Sequence, residues 1–161
     1  RLPLPLWHAG AGMIALLLTL GAFAPANPSV PTYSWPDALG AIQRVETGGC
    51  ANGGIGAKGD GGRALGPLQI HAIYHTDAAG VDKTLADYSR CLMSRSYSER
   101  VVRAYMSRYA RAALRRLESG AGTLADIETV ARIHNGGPRA NRAERLKYTD
   151  GYWAKIKKAV R

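Results

Sequence analysis

The chain has 161 residues, 46% of them hydrophobic, which suits one domain with an ordinary core. Lysine and arginine outnumber aspartate and glutamate by 22 to 12, a formal net charge of +10. That excess points to polyanionic partners, either nucleic acid or the anionic polymers of a bacterial envelope, the plainer alternative being a basic face that serves only solubility.

The first 26 residues are expected to lie outside the domain. The stretch "MIALLLTLGAFA" (Met13 to Ala24) is too short to span a bilayer and suits the apolar region of a secretory signal. Ala22-Phe23-Ala24 and Ala24-Pro25-Ala26 both have the A-x-A form. A cut after Ala26 is favoured, because the earlier site leaves a proline just past the scissile bond. The alternative is an uncleaved anchor. Either way the remainder faces an extracytoplasmic space, with no stable membrane insertion once the signal is removed, and export favours envelope polymers over nucleic acid as partners. In that compartment Cys50 and Cys91, the only two cysteines, read as one disulfide, with two buried free thiols as the alternative.

Residues 27–34 read as a linker and residues 35–161 as the domain, a series of helices with short connectors. Ser34, Trp35 and Pro36 start a helix in which Leu39, Ile42 and Glu46 share one face, stopped by Gly48 and Gly49. Pro67 opens a short helix through "LQIHAIYH". Ser96-x-x-Glu99 reads as a capping box ahead of a long helix, with Val101, Val102, Tyr105, Met106, Tyr109, Leu114 and Leu117 facing inward. Thr123-x-x-Asp126 starts another, whose stripe is Ile127, Val130, Ala131 and His134, ended by "NGGP". Thr149 caps a last helix with Tyr152, Trp153, Ile156 and Val160 inside. No internal repeat and no second domain are visible.

Several familiar motifs fail on context. Gly54 to Gly59 matches G-x-G-x-x-G, but a helix rather than a strand precedes it, so nucleotide binding is not expected. His71 and His75 have a metal-ligand spacing but lack a third ligand, so no metal is expected. No G-x-S-x-G is present. What remains is Glu46 and Asp60, fourteen positions apart across a run in which six of thirteen residues are glycine. Cleaving a glycosidic bond takes one carboxyl group that stays protonated and a second that stays ionised. Glu46 continues an apolar stripe, where desolvation favours the acid, whereas Asp60 lies among glycines whose N–H groups and water favour the anion. The plain alternative is a helix-end glutamate and a turn aspartate.

The blocks "VETGGC", "DGGRALGPLQIHAIY", "DYSRCLMSRSYSERVVRAYMSRYA", "ARIHNGGP" and "YTDGYW", in that order, resemble the invertebrate-type lysozymes, the destabilase family, from about Trp35 to Val160. The resemblance implies a lysozyme-like, mainly helical α+β fold with a small Gly-rich hairpin beside the cleft. It implies Glu46 as general acid and Asp60 as nucleophile or charge stabiliser in cleaving the β-1,4 bond between N-acetylmuramic acid and N-acetylglucosamine. Gln69, Tyr74 and Asn135 then bind sugar or acetamido groups with His134 beneath, in a monomer that needs no cofactor. The chain departs from that family in its scarcity of cysteines, in Thr47 where serine is usual and in His75 where tryptophan is common, and the family's isopeptidase activity is not carried over. Two other readings are a lytic transglycosylase using Glu46 alone and a non-catalytic cationic envelope-binding protein.

Overall fold

The computed structural model describes residues 30–160, so the expected leader, residues 1–26, lies outside the described residues. Helix α1 (Trp35–Thr47) begins where Ser34 and Asp37 cap each other: the Asp37 carboxylate accepts from the Ser34 backbone N–H (2.7 Å) and hydroxyl (2.6 Å). Tyr33 is also tied down, pairing its backbone with Gly122 in both directions. The glycine-rich stretch after α1 folds into three two-residue strands, β1 (Lys58–Gly59), β2 (Ala64–Leu65) and β3 (Ile70–His71). They pair antiparallel in that order.

The remaining helices are α2 (Ala72–Val81), α3 (Arg90–Met93), α4 (Arg95–Tyr109), α5 (Arg111–Glu118), α6 (Leu124–Gly136) and α7 (Asp150–Ala159). The fold is therefore mainly helical α+β. Helix α6 is its axis: Ile127, Val130, Ala131 and Ile133 are fully enclosed, and α1, α4, α5 and α7 pack around it. Thr123 and Asp126 cap α6 reciprocally, as the sequence predicts. No helix among the described residues is long and apolar enough to cross a membrane.

Four expectations are corrected. Pro67 does not open a helix: Gln69 has φ +47, a left-handed conformation that no α-helix accommodates, and Ile70 is held opposite Leu65 in the sheet, so α2 starts only at Ala72. The cap of α4 is Ser94, whose hydroxyl accepts from the Tyr97 N–H at 3.2 Å, and Glu99 is drawn to Arg95 Nε at 2.8 Å instead of closing a box with Ser96. That helix breaks at Ala110, so Leu114 and Leu117 belong to α5. The Thr149 side chain does not cap α7, because its hydroxyl accepts from the buried Arg132 (2.8 Å) and donates to the Leu146 carbonyl (3.2 Å).

The cysteines are corrected as well. Both are free thiols, with Cys50 exposed in the turn after α1 and Cys91 completely enclosed in α3. No bond joins them, and the core encloses one while the other faces solvent. Burial pushes the Cys91 thiol up to about 11, so it remains an inert, protonated core group.

Candidate active site

Glu46 lies in the last turn of α1 with its side chain 20% exposed. Three other elements reach it or brace it. Tyr152 of α7 donates its hydroxyl to Glu46 Oε1 at 2.7 Å, and His134 of α6 brings Nε2 to 3.8 Å of the same oxygen. Thr47, the next residue, donates to the Pro67 carbonyl at 2.8 Å and so ties the end of α1 to the loop between β2 and β3. Burial raises the pKa of Glu46, against the opposing effects of the Tyr152 hydrogen bond and the Lys155 charge. Burial, with the Glu46 carboxylate beside it, pushes the Tyr152 phenol far up, so Tyr152 stays a hydrogen-bond donor.

His134 is neutral. Burial first, then the charge of His71, outweighs its bond to the Leu68 carbonyl and drives its pKa down to about 4. The neighbours assign the tautomer: Nε2 lies 3.1 Å from the Leu68 carbonyl and carries the proton, while Nδ1 accepts from the Tyr74 hydroxyl at 3.3 Å. Its 3.8 Å approach to Glu46 is too long for a hydrogen bond and, with a neutral ring, is no ion pair. Tyr74 is held in turn by stacking on Tyr105, ring centroids 3.6 Å apart.

Asp60 is placed quite differently. It sits at φ +48 in the turn between β1 and β2, with its side chain 49% exposed. Arg63 Nη2 donates to Oδ1 at 2.8 Å, and His71 Nε2 stands 3.7 Å from Oδ2. His71 stands beside Asp60 and lines the same cavity as His134.

Two adjoining cavities share His71 and Ile73. One, of about 300 Å³, runs beside Gly62, Arg63, Leu65 and Tyr88, and the other, of about 230 Å³, beside Tyr74, Asp77, His134 and Asn135. Together they make a groove from Gly62 and Arg63 to the end of α6, with neither Glu46 nor Asp60 among its lining residues. Ile73 is 74% exposed on its wall, an apolar surface of the kind on which a sugar ring packs.

Of the residues proposed from the sequence to touch sugar, Asn135 is exposed in that groove. Tyr74 and His134 line it but spend their polar atoms on each other and on Leu68. Gln69 donates to the Gly66 carbonyl at 2.8 Å and lies against Gly59, where any side chain would collide with its Oε1. The Tyr152 bond to Glu46 and the approach of His71 to Asp60 went unpredicted. Tyr152 is 106 positions from Glu46, and only the packing of α7 on α1 joins them. His71 carried a signal, but as half of a metal pair with His75, which instead lies buried with Nε2 2.9 Å from the Tyr97 hydroxyl. Among the described residues, no cluster of three His, Cys, Asp or Glu could hold a metal ion.

With this geometry in place, the chain can be compared with known proteins. The destabilase family model matches residues 37–159. Over 93 residues, 58% of this chain, the sequence is 36% identical to Lysozyme 1 of Crassostrea virginica, and the match takes in 43% of that protein's length. No solved structure matches.

Proposed function

Because this chain belongs to the destabilase family, we propose that it is a peptidoglycan hydrolase, a muramidase that cleaves the β-1,4 bond between N-acetylmuramic acid and N-acetylglucosamine outside the cytoplasm. The observation that carries this reading is the burial of Glu46 at the end of α1, its side chain 20% exposed and bonded to Tyr152, which raises its pKa. A protonated Glu46 donates to the glycosidic oxygen as the bond to C1 breaks. Tyr152 fixes the orientation of Oε1 and leaves Oε2 to carry the proton. Asp60 then stabilises the positive charge at C1 or bonds to it, and the Glu46 carboxylate draws a proton from the water that completes hydrolysis. The relative named Lysozyme 1 supports the substrate class, and the basic surface favours accumulation on anionic walls.

One observation favours a second reading. Arg63 already engages Asp60 Oδ1, so a route that needs only Glu46, in which the sugar's own 6-hydroxyl closes the ring, is the alternative: a lytic transglycosylase. Digestion of purified peptidoglycan with mass analysis of the fragments decides between them. Free reducing ends are expected. Anhydro ends would transfer the assignment to the transglycosylase, and intact sacculi would leave only a cationic wall-binding protein.

A further inference from the structure

Residues 135–138, where α6 ends, have a cavity on each side. One is the groove containing Asn135, and the other is a pocket of about 310 Å³ that shares Pro138 with it. The second pocket has a largely apolar lining of Gly136, Pro138, Ala140 and the Tyr148 ring, rimmed by Arg139 and Arg145. Tyr148 is 69% exposed, although it is large and aromatic.

The rim arginines differ from those elsewhere in the molecule. Arg95, Arg100, Arg103, Arg108, Arg116 and Arg132 each pair with a carboxylate. Among the described residues, only Arg115, Arg139, Arg142 and Arg145 make no side-chain hydrogen bond, ion pair or aromatic contact, and three of these four stand within seven positions of the chain. Glu144 is the single acid in that segment and pairs with none of them. The pocket wall is also fixed in advance. Arg132, buried beneath it, donates to the Leu146 carbonyl (2.9 Å) and to Thr149 Oγ1 (2.8 Å) and holds Asp150 at 2.9 Å, which clamps residues 146–150 onto α6.

An apolar floor with a rim of unpaired guanidinium groups, continuous with a glycan groove, suits a ligand made of methyl groups and carboxylates. We propose that this pocket binds the peptide branch of peptidoglycan, whose alanine methyls rest on Pro138, Ala140 and Tyr148 and whose carboxylates meet Arg139 and Arg145. The branch leaves the muramic acid through its lactyl group, and Pro138, shared by groove and pocket, is where a strand in the groove could pass its peptide to the pocket. The choice of ligand rests on the reading of the groove as a peptidoglycan site, whereas the pocket's preference for carboxylated peptide is measured without turnover.

The test is calorimetric titration of the full chain with two soluble wall fragments, the disaccharide bearing its tetrapeptide and the same disaccharide without peptide. The peptide-bearing fragment should bind about tenfold more tightly, a difference of roughly 1.4 kcal/mol. The double variant Arg139→Gln/Arg145→Gln should bind the two fragments alike, and Tyr148→Ala should narrow the gap, whereas Arg115→Gln, a lone arginine elsewhere on the surface, should preserve it. Equal binding of both fragments by the unaltered protein would overturn the proposal, as would an equal loss of preference in Arg115→Gln, which would reduce the effect to overall charge. A protein that shows the preference but cleaves no wall would retain the pocket and lose the hydrolase, so the two readings fail separately.

Discussion

Glu46 and Asp60 occupy opposite kinds of structure. Glu46 ends a thirteen-residue helix and is enclosed by side chains from α6 and α7, so its surroundings are set by the core. Asp60 stands in a three-residue turn at positive φ, half exposed, with only Arg63 and His71 beside it. On the hydrolase reading proposed above, the contrast serves a division of labour: burial withdraws the proposed acid, Glu46, from water, while the second carboxyl group, Asp60, stands at the surface beside Arg63. It also separates stability from chemistry, because exposed ion pairs such as that of Asp60 contribute only ~0.2–1 kcal/mol.

The largest expected effect removes either carboxyl group. Glu46→Gln retains an acceptor for Tyr152 but has no proton to give, and turnover of purified wall should fall by ~100-fold or more with the circular dichroism unchanged. Asp60→Asn should be nearly inactive in the same assay while still binding wall fragments. Substantial turnover by Asp60→Asn with anhydro products would assign the chemistry to Glu46 alone.

Next is the buried histidine beside Glu46, His134. The folded pKa of His134, about 4, lies below its ordinary value of 6.5, so between those limits the unfolded chain binds the extra proton. Its contribution is therefore complete above pH 6.5, is lost as pH falls towards 4 and changes no further below that, for a total of about 3 kcal/mol. Urea denaturation across that range should show the decline, and His134→Gln should flatten it. A decline of unchanged size in the variant would assign the effect to other groups.

A smaller effect isolates the bracing of Glu46. Tyr152→Phe removes the hydrogen bond that holds the carboxylate down, so the pKa of Glu46 should rise further and the alkaline limb of kcat/KM should move to higher pH. The rate at the optimum should drop by only ~3- to 10-fold, the scale of one lost hydrogen bond of about 1 kcal/mol. A limb that stays in place would show that Tyr152 packs against Glu46 without tuning it.

What the sequence revealed follows the same division between local and distant. The cap of α1 at Ser34, the box at Thr123 and Asp126, and the stripe carrying Glu46 are written within a few residues of where they act. Such local signals also misled where two candidates lay close together: Ser94 is the cap of α4, whereas Ser96 is already inside its first turn. The left-handed Gln69 was hidden because the strand that requires it is only two residues long. Contacts between distant segments left no trace at all. The Tyr152 bond to Glu46 depends on how α7 docks against α1, and the approach of His71 to Asp60 on how the three strands pair. The expected disulfide failed for a related reason, since an even count of cysteines carries no information about which of them the core encloses.

The central claim is that burial keeps Glu46 protonated above the ordinary glutamate range. Carboxyl-carbon NMR titration of the full chain tests it directly, with the Glu46 resonance identified by its loss in Glu46→Gln. A midpoint above the ordinary value of 4.5 is expected. A midpoint at or below that value would contradict it, because the carboxyl group at the end of α1 would then have no proton to give.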